Sequence, residues 1–217
     1  MKKLLDGIAE FQRTTRPSYR EKFAKLALGQ SPDCLFFACS DSRVVPNLFA
    51  STEPGDLFVV RNVGNLVPPC GPVGLSTTDR SEGAAVEFAL QVLGVRDIVV
   101  CGHSDCGAMR GLLSGATPEQ APNLREWLDV AQSSVQRLHT NPIDTSLPLH
   151  NQLSQVNVLQ QVANLRTYPD VAERLAAGKL RIHAWWFDLG SVEVLSYFED
   201  RGRFEPMVGS ADSAPQT

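Results

Sequence analysis

The stretch Asp97-Ile98-Val99-Val100-Cys101-Gly102-His103-Ser104-Asp105-Cys106 sets a short apolar run directly against a polar cluster rich in metal-binding and acid–base side chains. The same design occurs earlier, where Cys34-Leu35-Phe36-Phe37-Ala38 ends in Cys39-Ser40-Asp41-Ser42-Arg43. It occurs again where Leu57-Phe58-Val59-Val60 ends in Arg61-Asn62. Continuous apolar runs of this length suit strands covered on both faces, as in a parallel sheet. Working outward, residues 81–93 carry Ala84, Ala85, Phe88, Ala89 and Val92 at helical spacing, and further helices are expected over 4–11, 19–28, 123–138 and 149–165. Gly29 reads as the stop of the second of these. A fourth strand is expected over 180–187 and an edge strand over 191–197. The alternation predicts one α/β domain over residues 1–205, a central, mostly parallel sheet flanked by helices, followed by a small polar C-terminal tail at 206–217. In such sheets ligands sit beyond the carboxyl ends of the strands, where both polar clusters fall.

The 217 residues are 43% hydrophobic and 20% charged, enough for a substantial core. The net charge is −4 and the basic residues are scattered, so the chain lacks the concentrated basic face that a nucleic acid or an anionic membrane requires. No run approaches the roughly 18 apolar residues of a membrane span. Met1-Lys2-Lys3-Leu4-Leu5 imitates the start of a signal peptide, but Asp6 and Glu10 interrupt it, so a cytoplasmic location is expected. The five cysteines, Cys34, Cys39, Cys70, Cys101 and Cys106, are an odd number and point to thiols or metal ligands rather than disulfides.

Cys39, His103 and Cys106 form a ligand set that zinc favours, with a fourth position left open. A helix beginning near Cys106 would stabilise a thiolate there. A pattern of the type H-x-x-C also fits a capping histidine and a core cysteine. If the chain stays extended after the first strand, Asp41 and Arg43 project to the same side as Cys39. Arg43 can then grip Asp41 through two hydrogen bonds, although a D-x-R pair alone also fits a silent surface ion pair. Cys101 ends its apolar run and reads as a buried strand position. Cys34 and Cys70 receive no role, and His139, His150 and His183 read as packing or surface residues.

Cys39-Ser40-Asp41-Ser42-Arg43 followed by Cys101-Gly102-His103-Ser104-Asp105-Cys106-Gly107 resembles the paired signature of the β-class carbonic anhydrases. Residues 55–65 and 82–88 are also similar to that family, and the likeness runs over about 4–197. The resemblance implies zinc-dependent reversible hydration of carbon dioxide to bicarbonate, with one Zn2+ per chain on Cys39, His103 and Cys106. It makes Asp41 and Arg43 a dyad that controls the fourth position. It implies a dimer or tetramer with N-terminal helices packing on a partner subunit, and Gln30, Phe58 and Phe88 reaching the partner's substrate. The backbone N–H of Gly107 is a further substrate contact. Plant-like members carry Tyr where Phe88 stands. Some bacterial members close the site with a bicarbonate held by a Trp–Arg–Tyr trio. The corresponding residues here are Phe36, Arg61 and Phe187, so that switch is expected to be absent. A sulfur-substrate hydrolase, a closed structural zinc site and a cysteine-nucleophile hydrolase are the competing readings.

Overall fold

The computed structural model describes residues 1–207 apart from Ala116, Thr117 and Glu119. Along the chain the elements are α1 (Lys2–Glu10), α2 (Arg16–Leu26), β1 (Cys34–Cys39), α3 (Pro46–Phe49), β2 (Leu57–Asn62), α4 (Ser81–Glu87), β3 (Asp97–His103) and α5 (Gly107–Ser114). They continue with α6 (Pro122–Asp129), α7 (Gln132–Thr140), α8 (Leu149–Leu165), α9 (Pro169–Ala176), β4 (Arg181–Asp188), β5 (Glu193–Phe198) and β6 (Arg203–Pro206). Among the described residues the strands form one six-stranded sheet ordered β2-β1-β3-β4-β5-β6. The pairings from β2 through β4 are parallel and the last two are antiparallel.

The central strands are apolar throughout because both faces are covered. Leu35 and Phe37 of β1, with Ile98 and Val100 of β3, pack into one core with α4, α8 and α9. Cys34, Phe36, Ala38, Val99 and Cys101 point the other way, into a second core with Phe187. Each fully buried Leu, Ile or Phe contributes about 1.5–3 kcal/mol of transfer free energy. A third core, from α5, α6, α7 and α8, encloses Cys39 and Cys106 and forms the floor of the site.

Several expected boundaries shift, each for a local reason. The first two predicted helices are one rod from Lys2 to Leu26, with a wide helical turn at Phe11–Thr15. Pro17 lacks an N–H and crowds the preceding turn, and a widened turn is how a helix absorbs that. The helix expected over 123–138 is two helices, because Val130 and Ala131 bond back to Trp127 and Leu128 in tight turns and Ala131 is fully buried. The strand expected over 191–197 is β5, and it is not the edge. β6 lies outside it, a short strand whose alternation rests on Phe204 alone. Helix α9 was not expected at all. Most of the tail expected at 206–217 lies outside the described residues.

Helix α8 runs against β3 at Gly102. A methyl group there would lie 2.6 Å from Val158 Cγ2, 3.2 Å from Trp186 Cδ1 and 3.3 Å from the Ser154 carbonyl oxygen. Gly102→Ala should therefore cost about 2 kcal/mol and lower Tm by roughly 4–8 °C. A thermal melt unchanged within error would show that α8 does not press on the strand that carries His103.

Candidate metal centre

The site lies at the carboxyl ends of β1 and β3. Register places Ala38 opposite Cys101, so Cys39 and His103, the last residues of their strands, finish side by side. After His103 the chain turns through Ser104 and Asp105, whose φ of +54° is a left-handed conformation that Asp tolerates. Asn151 accepts the Asp105 N–H at 2.8 Å, and the Asp105 carboxylate meets Arg110 and, at 3.0 Å, His150 Nε2. The turn delivers Cys106 to the N-cap of α5 in an extended conformation. The expected helix start near Cys106 is therefore present, with the N–H groups of Ala108 and Met109 favouring thiolate there.

Cys39, His103 and Cys106 are brought together with their ligand atoms within 4.8 Å of one another, and all three are buried. The two sulfurs lie 4.0 Å apart, close to the edge of about 3.8 Å that tetrahedral zinc–thiolate bonds dictate. His103 Nδ1 contacts the Ser104 carbonyl at 2.8 Å. A carbonyl only accepts, so Nδ1 carries the proton and the Nε2 lone pair faces the sulfurs. That Nε2 is buried without a hydrogen-bond partner. An orphaned acceptor of this kind costs about 1–3 kcal/mol unless something coordinates it. Hydrogen bonding from the Cys106 thiol, with further donors, holds the Cys39 thiol low. The charge on Cys39 and burial push Cys106 far up. The first proton leaves this pair readily, and the second leaves only against a compensating positive charge. Two thiolates and an imidazole lone pair converging on one point fit a soft divalent metal.

Arg43 and Asp41 meet as expected, by a different route. The chain does not stay extended after Cys39. It turns at Asp41, whose Oδ1 accepts the Arg43 N–H at 3.0 Å, and this folds the guanidinium back. Arg43 Nε and Nη2 then donate to Asp41 Oδ1 and Oδ2 at 2.9 and 2.7 Å. Nη2 also donates to the Asp105 carbonyl at 3.1 Å, tying the two metal-binding loops together. This grip holds the Asp41 carboxyl well below the usual carboxylate range. Asp41 Oδ2 stays 4.0 Å from His103 Nε2, at the rim of the centre.

A cleft of about 390 Å³ opens beside Cys39, Asp41 and Gly107, with Val63, Ala108, Leu124 and Leu128 as apolar wall. Gln30, Phe58 and Phe88 do not border it. Phe58 pairs with Leu35, four positions before Cys39 in the strand register, which is roughly 13 Å along the sheet. It stacks on Phe88 at 5.7 Å, and Gln30 is exposed beyond α2. Phe36 and Phe187 pack against Phe49, and the Arg61 guanidinium donates to the carbonyls of Cys39, Asp41 and Val44. Cys101 is buried in the core with Phe36 and Phe187, and burial pushes both it and Cys34 up, Cys34 to about 12, so neither is a ready ligand.

Residues outside the sequence motifs also shape the centre. The Gly64 N–H donates to Cys39 Sγ at 3.4 Å. Asn157, Gln161 and Asn164 of α8 hold the loop that carries Gly64, through the Gly64 carbonyl, the Val67 N–H and the Val67 carbonyl. Their spacing of i, i+4, i+7 along one side of α8 is a readable signal, since a buried polar stripe must have a partner. His150, expected as packing or surface, instead braces the loop between two of the ligands.

A family model described as carbonic anhydrase matches residues 34–194. The chain is 45% identical over 193 residues to a carbonic anhydrase of Pseudomonas aeruginosa, covering 88% of this chain and 84% of that relative. Among solved structures it is similar to the β-carbonic anhydrase CcaA, with a TM-score of 0.88 and 38% identity over 96% of this chain and 92% of the other. It is also similar to a structure from a study of two tetrameric β-carbonic anhydrases of Sordaria macrospora, with a TM-score of 0.76 and 29% identity over 90% of this chain and 95% of that one. With a family model over most of its length, a 45% identical relative and a shared sheet architecture, the chain belongs to the carbonic anhydrase family, in its β class.

Proposed function

We propose that the protein catalyses the reversible hydration of carbon dioxide to bicarbonate and a proton, with one zinc per chain on Cys39, His103 and Cys106. The observation that carries this reading is the buried Nε2 of His103, without a hydrogen-bond partner, beside two cysteine sulfurs 4.0 Å apart. Three protein ligands with a cleft beside them leave a coordination position open, as catalytic zinc sites do. Zinc bound there supplies a Lewis acid that makes a water acidic near neutral pH.

The chain's own residues do the rest. Arg43 engages both oxygens of Asp41, so the carboxylate stays off the metal and remains an ionised acceptor for the proton of the attacking group. Val63, Ala108, Leu124 and Leu128 offer an apolar wall suited to a small, nonpolar gas. Gly107, at the first position of α5, has an N–H with no acceptor within the helix and is placed to meet a substrate oxygen. With Arg61 committed to three carbonyls and rings at positions 36 and 187, we read no bicarbonate-gated closure in this chain.

We further infer that the working unit is a dimer or a higher assembly. Leu4, Leu5, Ile8 and Phe11 form an apolar stripe that remains 47–64% exposed on α1, which buries none of its residues on its own chain. A second copy is the partner that fits, and it would bring Gln30, Phe58 and Phe88 to the neighbouring cleft. Unpaired cysteines suit a reducing compartment, and we place the protein in the cytoplasm. Among the described residues no helix is long and apolar enough to cross a membrane.

Stopped-flow hydration of carbon dioxide, with zinc quantified on the same sample, should show fast turnover at about one zinc per chain. Cys106→Ser should lose both. Stoichiometric zinc without hydration would reject the activity. Asp41→Asn should keep its zinc and lower kcat by about a hundredfold, the scale of a positioned proton acceptor. An unchanged kcat would remove Asp41 from the mechanism.

The dyad also has a signature in acid. Because folding lowers the Asp41 pKa, its contribution to stability is complete above the unfolded value of about 3.9 and is lost as pH falls below it. In Arg43→Gln the Asp41 carboxyl should titrate near that ordinary value, followed by carbon-13 NMR. The stability gap between variant and parent should narrow as pH falls through 3.9 and below. A carboxyl that stays ionised in the variant would show that Arg43 is not what holds it.

A further inference from the structure

We propose that Trp127 is a positioning residue for the metal centre, aiming and strengthening the hydrogen bond that the Gly64 N–H gives to the Cys39 sulfur. The proposal rests on the reading of Cys39 as a metal ligand. Trp127 lies on α6, outside the sequence motifs, and packs against the core that encloses Cys39 and Cys106. Its indole Nε1–H donates to the Val63 carbonyl at 2.7 Å. The Val63 carbonyl and the Gly64 N–H are the two ends of one peptide unit, and that N–H meets Cys39 Sγ at 3.4 Å.

A trans peptide is planar and its C=O and N–H point in opposite directions. An indole fixed on the oxygen therefore fixes the direction of the N–H on the far side. Donation to the oxygen also polarises the amide, so each bond in such a chain strengthens the next by about 10–30%. The other end of the glycine is held too, because Asn157 Nδ2 donates to the Gly64 carbonyl at 3.1 Å. Asn157 is in turn oriented by Gln161 and Ser134. Gly64 itself has φ of +87°, and a methyl group on it would sit 3.2 Å from the Ala108 Cβ. No side chain can be placed at the glycine to do this work, so the aim of its N–H depends on what grips the carbonyls on either side. Val63 is 41% exposed, so water would satisfy its carbonyl if the indole were absent. Water would leave the peptide free to rock, and the indole does not.

The test uses the cobalt-substituted protein, whose thiolate-to-metal charge-transfer absorption reports electron density on sulfur, together with the Gly64 amide resonance. Trp127→Phe keeps an aromatic ring and removes the donor. It should still bind one cobalt per chain, with the charge-transfer band shifted to longer wavelength and the Gly64 amide proton shifted upfield, the latter in metal-free protein as well. Val130→Ala, a packing change at the end of the same helix, should move neither. An unmoved band and amide in Trp127→Phe, or equal shifts in Val130→Ala, would overturn the proposal. Absence of the thiolate band from the parent protein would instead reject Cys39 and Cys106 as ligands. If Trp127→Phe does not fold, the intact protein decides. Zinc loading should slow exchange of the Trp127 indole proton relative to that of Trp185, and equal exchange would overturn the proposal.

Discussion

Two thiols 4.0 Å apart in a buried corner cannot both ionise unless a cation joins them, and most of the surrounding structure follows from that constraint. Burial alone would keep both sulfurs protonated, as it does Cys34 and Cys101 on the same strands. Cys39 differs through its donors, the Cys106 thiol and the Asp41 and Gly64 N–H groups, while Cys106, despite the start of α5, is held up by its hydrogen bond to Cys39 and by burial. His103 completes the set because its proton is committed to a backbone carbonyl and its lone pair has nowhere else to go. The sheet supplies the precision, since parallel register alone sets the ends of β1 and β3 next to each other.

Arg43 solves a second problem created by the first. A carboxylate close to an open metal position is a natural ligand, and Asp41 is close. On the proposed reading, holding it by two hydrogen bonds removes the incentive to coordinate while keeping the charge that a proton acceptor needs. The third bond of Arg43, to the Asp105 carbonyl, makes the same side chain a strut between the loops that carry Cys39 and Cys106. Arg61 performs a related task, gathering the carbonyls of Cys39, Asp41 and Val44 around the turn.

The sheet strands and the meeting of Cys39, His103 and Cys106 are legible in the sequence because continuous apolar runs ending in polar clusters report both strand burial and site position. The contact between Asp41 and Arg43 was legible for a partly wrong reason. Alternation along an extended chain was assumed, whereas a side-chain-capped turn brings the pair together. The split between α6 and α7 was hidden because Val130 and Ala131 are unremarkable in a helix, and burial against the floor of the site decides their tight turns. β6 was hidden by its brevity. The Asn157, Gln161 and Asn164 stripe was visible, but its meaning depended on where the loop around Gly64 would lie, a contact between residues more than ninety positions apart.

On the proposed reading, one chain does not complete its own site. Phe58 sits near the amino end of β2 and Cys39 at the carboxyl end of β1, so the rigid sheet itself separates the aromatic pair from the cleft. No side-chain rotation spans that distance, and bending a six-stranded sheet to close it would break the register that sets Cys39 beside His103. A second subunit resolves the conflict without distortion, because an interface between identical chains places residues from one end of a sheet against the other end of its neighbour. The exposed stripe on α1 points to the same solution, since an amphipathic helix that buries nothing at home gains most by packing on another copy. Association, on this reading, would serve chemistry as well as stability: it would supply the wall that the fold of a single chain has placed out of its own reach.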